Sequence, residues 1–264
     1  MPKRKSNAKA RYHDEFLLNN PIPIHNHPDY MFNQKKFTVH DMKSIQPMTL
    51  NQERVFDLWQ DDYNIVLSGS AGTGKTLVAT YLALKDILDL SLDKKYEKII
   101  IIRSSVPSRE MGFLKGSVEE KMEVYETPYV QIFDFIFKKS NQYKYMKEAG
   151  LVEFQSTSFL RGQTFSNAII ILDEAAGLTY HEISTVLTRV GDDSKIVIIG
   201  DVKQNDLIYK KNDVSGFAKF LEVSTMMQEV RQVTFTREDI VRSGFVKSFI
   251  IADEMWDDRQ QYRK

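Results

Sequence analysis

The segment Gly69-Ser70-Ala71-Gly72-Thr73-Gly74-Lys75-Thr76 has the residues needed to hold a polyphosphate. It fits the pattern G-x-x-x-x-G-K-[ST] at every fixed position. Glycines let backbone N–H groups curl around a β-phosphate. Lys75 can reach the β- and γ-phosphates, and Thr76 offers a hydroxyl to Mg²⁺. The apolar run Ile65-Val66-Leu67 leads in and a helix-forming run from Leu77 to Leu84 leads out. A strand and a helix are thus expected on either side, with the positive end of the helix dipole facing the anion. A glycine-rich turn with a chance lysine would not account for both flanks.

A second chemical element is Asp173-Glu174, which closes the apolar run Ile169-Ile170-Ile171-Leu172. In a parallel sheet, ligands bind beyond the carboxyl ends of the strands. Asp173 is therefore expected at Mg²⁺ with Thr76, and Glu174 near the γ-phosphate, where it can polarise a water. Two acids capping a helix N-terminus are the plainer alternative. Gly200-Asp201-Val202-Lys203-Gln204 ends another apolar run, so Gln204 could contact the γ-phosphate or orient the water, or simply belong to a polar turn. Upstream, Gln52 in Thr49-Leu50-Asn51-Gln52 could pair with a base edge, while an N-cap by Thr49 or Asn51 explains the same cluster.

These residues need a scaffold. Apolar, β-branched runs recur at 64–68, 98–103, 168–173, 195–200 and 233–236, with helical stretches between them. Continuous apolar strands alternating with helices predict a mostly parallel, doubly wound α/β sheet flanked by helices. Asn51 to Trp59 reads as a short amphipathic helix with Val55, Leu58 and Trp59 on one side. In the segment from Glu119 to Phe137, the residues Tyr125, Tyr129, Ile132, Phe133, Ile136 and Phe137 read as a packing face.

The 264 residues suffice for one large domain. Three parts are expected: an N-terminal arm over 1–48, the α/β domain over 49–252, and a polar tail over 253–264. The arm begins with Lys3, Arg4, Lys5, Lys9 and Arg11 and continues through Pro21-Ile22-Pro23-Ile24-His25-Asn26-His27-Pro28. It is either a solvated tail or a binding arm. His25 and His27, with no cysteine near, make a poor metal site. The formal net charge is zero, so any nucleic-acid surface must be a local patch. The absence of cysteine excludes disulfides and thiolate metal sites and suits a reducing cytoplasm. No apolar run approaches bilayer length, so no membrane association is expected.

Taken together, these motifs resemble the PhoH-like ATPases of bacteria and bacteriophages, which are related to superfamily 1 helicases. Besides the P-loop, the similarity rests on Arg103-Ser104-Ser105-Val106-Pro107, Gly112-Phe113-Leu114-Lys115-Gly116, Glu120-Lys121-Met122 and Arg161-Gly162-Gln163-Thr164. It continues through Leu187-Thr188-Arg189-Val190-Gly191, the 200–206 block, and Thr234-Phe235 to Asp239-Ile240-Val241-Arg242. The resemblance implies a RecA-like P-loop NTPase domain that binds and hydrolyses ATP with Mg²⁺. It further implies a link to RNA or single-stranded DNA, a homo-oligomeric ring, expected as a hexamer, and a cytoplasmic location. The departures are Ser104 and Lys115, where the family commonly has proline, and Ala176, where it commonly has glutamine. The last weakens a helicase reading and leaves an ATP-dependent assembly or binding module as the alternative. A small-molecule kinase would also use a P-loop, but no lid or acceptor pocket is recognisable.

Charge on a transferring phosphoryl group calls for an arginine. Arg189, Arg237 and Arg242 are candidates, with surface ion pairing the alternative for each. Arg189 is expected on the helix after the acids, near a subunit edge. Arg103 and Arg161 could contact the phosphates of a nucleic-acid strand. Phe113 could stack on a base, or serve as a core or subunit-contact residue.

Overall fold

The structure, a computed structural model, describes residues 37–89, 96–104, 118–160, 162–201 and 216–261. The helices and strands follow the chain as α1 (Leu50–Gln60), β1 (Asn64–Gly69), α2 (Lys75–Leu88), β2 (Lys98–Arg103), α3 (Val118–Phe137) and α4 (Gln142–Glu148). Then come β3 (Val152–Ser156), β4 (Ala168–Leu172), α5 (Tyr180–Leu187), β5 (Lys195–Gly200), α6 (Gly216–Ser224), β6 (Val230–Phe235) and α7 (Gly244–Gln261).

Among the described residues, six strands form one sheet in the order β3-β2-β4-β5-β1-β6, and every pairing is parallel. The apolar runs of β2, β4 and β5 arise because these strands are buried on both faces. Side chains alternate across a strand. Ile99 and Ile101 therefore join a core under α1 to α4, while Ile100 and Ile102 join a second core under α5 and α6. This is the doubly wound α/β fold expected of a RecA-like P-loop NTPase. Strand β5 lies between the P-loop strand β1 and the acid-bearing strand β4, so the carboxyl ends of all three open on one edge.

Three elements differ from the sequence expectation. Strand β3 has no apolar run to mark it: among the described residues it is an edge strand paired with β2, and its polar Glu153 and Gln155 interrupt the apolar pattern. The stretch expected as the end of the arm is packed from Phe37 onward. Phe37 is buried in the core under α1 to α4, Val39, Met42 and Ile45 lie against it, and Lys43 N donates to Ile136 O at 2.8 Å. At the other end, α7 runs through position 252 to Gln261. Its polar residues have a partner: the Arg237 guanidinium binds Glu254 at 2.9 Å and Asp258. Among the described residues, no helix is long and apolar enough to cross a membrane.

Candidate functional site

The loop after β1 is shaped by close backbone contacts. Gly69 has φ +100°, and a Cβ there would lie 2.0 Å from the Phe235 carbonyl oxygen, so only glycine fits. Ser70 N donates to that same carbonyl at 3.2 Å, and Val241 N donates to Gly72 O at 3.1 Å. The Thr73 hydroxyl donates to Ser70 O at 3.0 Å. The end of β6 thus braces the start of the loop, and the chain after it braces the middle. Gly74 then turns into α2, which places that helix's N-terminus at the loop.

Gln52 is buried at the same place. Its Nε2 donates to Thr73 O at 2.9 Å, and its Oε1 accepts from Met48 N at 2.8 Å. The amide therefore ties the loop to the chain before α1 and is not turned out toward a base. The N-cap of α1 is Thr49, whose hydroxyl accepts from Gln52 N at 3.3 Å. The N-cap reading of this cluster thus falls to Thr49, while the Gln52 amide serves the loop.

Lys75 folds back over the loop, donating to Gly69 O and Ser70 O, each at 2.7 Å. Burial lowers its ammonium pKa, and the charges of Asp201, Asp173, Glu174 and Glu254 oppose that shift. The Thr76 hydroxyl lies 3.2 Å from Asp173 Oδ2 and 3.3 Å from Oδ1. The first turn of α2 and the end of β4 therefore meet as the motifs require. Among the described residues, no group of three or more His, Cys, Asp or Glu could hold a metal alone. One hydroxyl beside one carboxylate is a hard-oxygen donor set that suits Mg²⁺ sharing its other positions with phosphate and water.

Glu174 follows Asp173 in a left-handed conformation, φ 55° and ψ 37°. Its side chain is 54% exposed at the rim of the site, 3.4 Å from Arg103 Nη2 at the end of β2. Partial withdrawal from water, then the charge of Asp173, raises its carboxyl pKa, while Arg103 and Lys75 pull it down.

The arginines separate in space. The stem of Arg242 lies along the loop: a Cβ on Gly72 would meet Arg242 Cγ at 2.8 Å and Nε at 3.8 Å. Arg189 does not reach the loop within its own chain. It lies beyond the end of α5, donates from Nε to Leu160 O at 3.2 Å, and accepts at its carbonyl from Phe165 N at 2.7 Å. Phe165 precedes β4 whereas Asp173 follows it, so Arg189 sits at the opposite end of the sheet. Arg237 is engaged by α7. Gln204, Phe113 and Arg161, like His25 and His27, lie outside the described residues.

One participant went unread. Tyr129, assigned from its spacing to the packing face of α3, is buried there as expected, and its hydroxyl donates to Asp173 Oδ2 at 2.7 Å. Beside the loop, a cavity of about 660 Å³ is lined by Ser70, Asp201, Arg237, Glu238, Glu254 and Asp258, among others. Four carboxylates against one arginine make it ill-suited to a polyphosphate, whose place is the loop itself.

The family model described as PhoH-like protein matches residues 44–254. Protein PhoH2 of Bacillus subtilis is 35% identical over 184 residues, which cover 67% of this chain and 41% of that protein. The PhoH-like protein of Mycobacterium tuberculosis is 32% identical over 213 residues, covering 80% and 58% respectively. Protein PhoH of Escherichia coli is 33% identical over 185 residues, covering 68% and 50%. The chain thus spans about half the length of these curated relatives. Among solved structures, the Pif1 helicase from Candida albicans is a loose likeness, with a TM-score of 0.37 and 18% identity over 73% of this chain and 40% of that one. With its P-loop, its acid pair and a family match over most of its length, the chain belongs to the PhoH-like protein family.

Proposed function

We propose that the protein is a Mg²⁺-dependent ATPase whose nucleotide lies on the Gly69–Thr76 loop. One observation carries the reading: the Thr76 hydroxyl faces the Asp173 carboxylate at 3.2 Å, with Glu174 next in the chain. That is the arrangement a metal-nucleotide site needs.

Each residue has a proposed role. The loop N–H groups and the N-terminus of α2 bind phosphate oxygens. Lys75 gives up its contacts with Gly69 O and Ser70 O and moves its charge to the β- and γ-phosphates. Thr76 and Asp173 would hold Mg²⁺, which when bound neutralises charge on the phosphoryl oxygens. Glu174 accepts a proton from the attacking water, and its raised pKa makes it a better base than an ordinary carboxylate. Arg242 stands beside the loop in the same chain, whereas Arg189 could act only on the site of a neighbouring subunit. Gln204 is proposed as the γ-phosphate sensor, and Gln52 supports the loop.

Coupling to RNA or single-stranded DNA in a homohexameric ring is the finer part of the proposal, supported by family membership. Arg103, Phe113 and Arg161 are the proposed nucleic-acid contacts. A second reading is an ATP-dependent assembly or binding module with little motor activity. It is favoured by the Arg103 contact that holds Glu174 and by the buried Ala176 where the family commonly has glutamine.

The test is ATP turnover. Lys75→Ala should lose nucleotide binding, and Glu174→Gln should keep binding but lose about 10²- to 10⁴-fold in turnover. Unchanged turnover in both variants overturns the assignment. Mass measurement with and without ATP, combined with turnover with and without single-stranded RNA, separates ring ATPase from binding module.

A further inference from the structure

Tyr129 lies within α3 and is fully buried in the core that α3 shares with α1, α2 and α4. Its ring packs near Phe154 of β3, with centroids 5.8 Å apart. A phenylalanine would satisfy that packing equally well. The hydroxyl is therefore the part that needs explaining, because a buried hydroxyl is costly unless it is paired.

That hydroxyl goes to Asp173 Oδ2 at 2.7 Å, closer than either Thr76 contact. Asp173 is itself only 6% exposed. Its carboxylate is held from three directions: by Tyr129 on Oδ2, by the Glu174 backbone N–H on Oδ1 at 2.9 Å, and by Thr76 across both oxygens. The Thr76 contact is the one that a bound cation would replace. The Tyr129 and Glu174 contacts would remain and fix the plane of the carboxylate.

We propose that Tyr129 is a positioning residue of the metal site: its hydroxyl locks the Asp173 carboxylate in the orientation that faces Thr76, and so sets the affinity for the divalent cation bound with the nucleotide. This rests on the reading of the loop as a metal-nucleotide site. Hydrogen-bond partners of metal ligands commonly contribute about 10- to 100-fold in metal affinity.

The test uses the full chain with ADP and Mn²⁺ as probes. Free Mn²⁺ is followed by electron paramagnetic resonance at saturating ADP, and ADP affinity is measured separately in EDTA. Tyr129→Phe is expected to weaken Mn²⁺ binding about 10-fold and to leave ADP affinity in EDTA unchanged. In an Asp173→Asn background, Tyr129→Phe should add no further loss. Mn²⁺ affinity within twofold of the unaltered chain overturns the proposal. So does an equal loss of ADP affinity in EDTA, which would mark a packing role alone. An unaltered chain that binds neither ADP nor Mn²⁺ with ADP overturns the nucleotide-site reading as well. Normal binding by the unaltered chain with an indifferent Tyr129→Phe removes only the role of Tyr129.

Discussion

Arg103, the last residue of β2, places its guanidinium 3.4 Å from the carboxylate of Glu174, which follows β4. The group proposed to activate water is thus paired with a residue proposed to touch nucleic acid. Arg103 also opposes the upward pKa shift of Glu174. Removing it should raise that pKa further. A general base works when deprotonated, so the acidic limb of the turnover profile should move to higher pH in Arg103→Ala. A pH profile of ATP turnover measures this; a limb that stays put or moves down means the contact does not tune Glu174.

The two remaining arginine candidates should behave differently. Arg242 lies on the loop of its own chain, so Arg242→Ala should lose activity at any protein concentration. Arg189 could serve only a neighbour, so Arg189→Ala chains mixed with Glu174→Gln chains should recover turnover. Loss of a true finger costs about 10³-fold or more. Full activity in both single variants removes the finger proposal.

Glycine substitutions should separate by contact. Gly69→Ala places a Cβ 2.0 Å from Phe235 O at φ +100°, and should cost about 3 kcal/mol or more. Gly150→Ala has φ +74° but no heavy atom within 4 Å, and should cost about 1 kcal/mol. Urea melts of the two variants give the comparison directly, and equal costs would mean the β6 backbone yields.

Asp239 links α1 to the chain after β6. It accepts from Thr236 N and from Asn51 Nδ2, each at 2.8 Å. Burial acts to raise its pKa, but the hydrogen bonds from Thr236, Asn51 and Thr49 outweigh it and the net shift is downward. A carboxyl pKa depressed on folding stabilises the fold above its unfolded value, and that stability is lost as pH falls through the folded value. Asp239→Asn should therefore lose about 1–2 kcal/mol at neutral pH and much less in acid. Thermal melts across that range check the sign.

What the sequence determined by itself was local. The loop residues sit at fixed spacings, and the acid pair directly follows its strand. Continuous burial on both faces made β1, β2, β4 and β5 legible as apolar runs. Wherever the partner is distant, tertiary structure decided. The Tyr129 hydroxyl finds Asp173 across 44 positions, yet along α3 it is one more apolar-face aromatic. The polar end of α7 looks like a tail until Arg237 meets Glu254 and Asp258. Gln52 reads as a base contact until Thr73 claims its amide. Arg189 and Arg242 look equivalent until the sheet puts one at each end. Spacing along the chain reports which groups exist, and only packing brings a donor from one element to an acceptor on another.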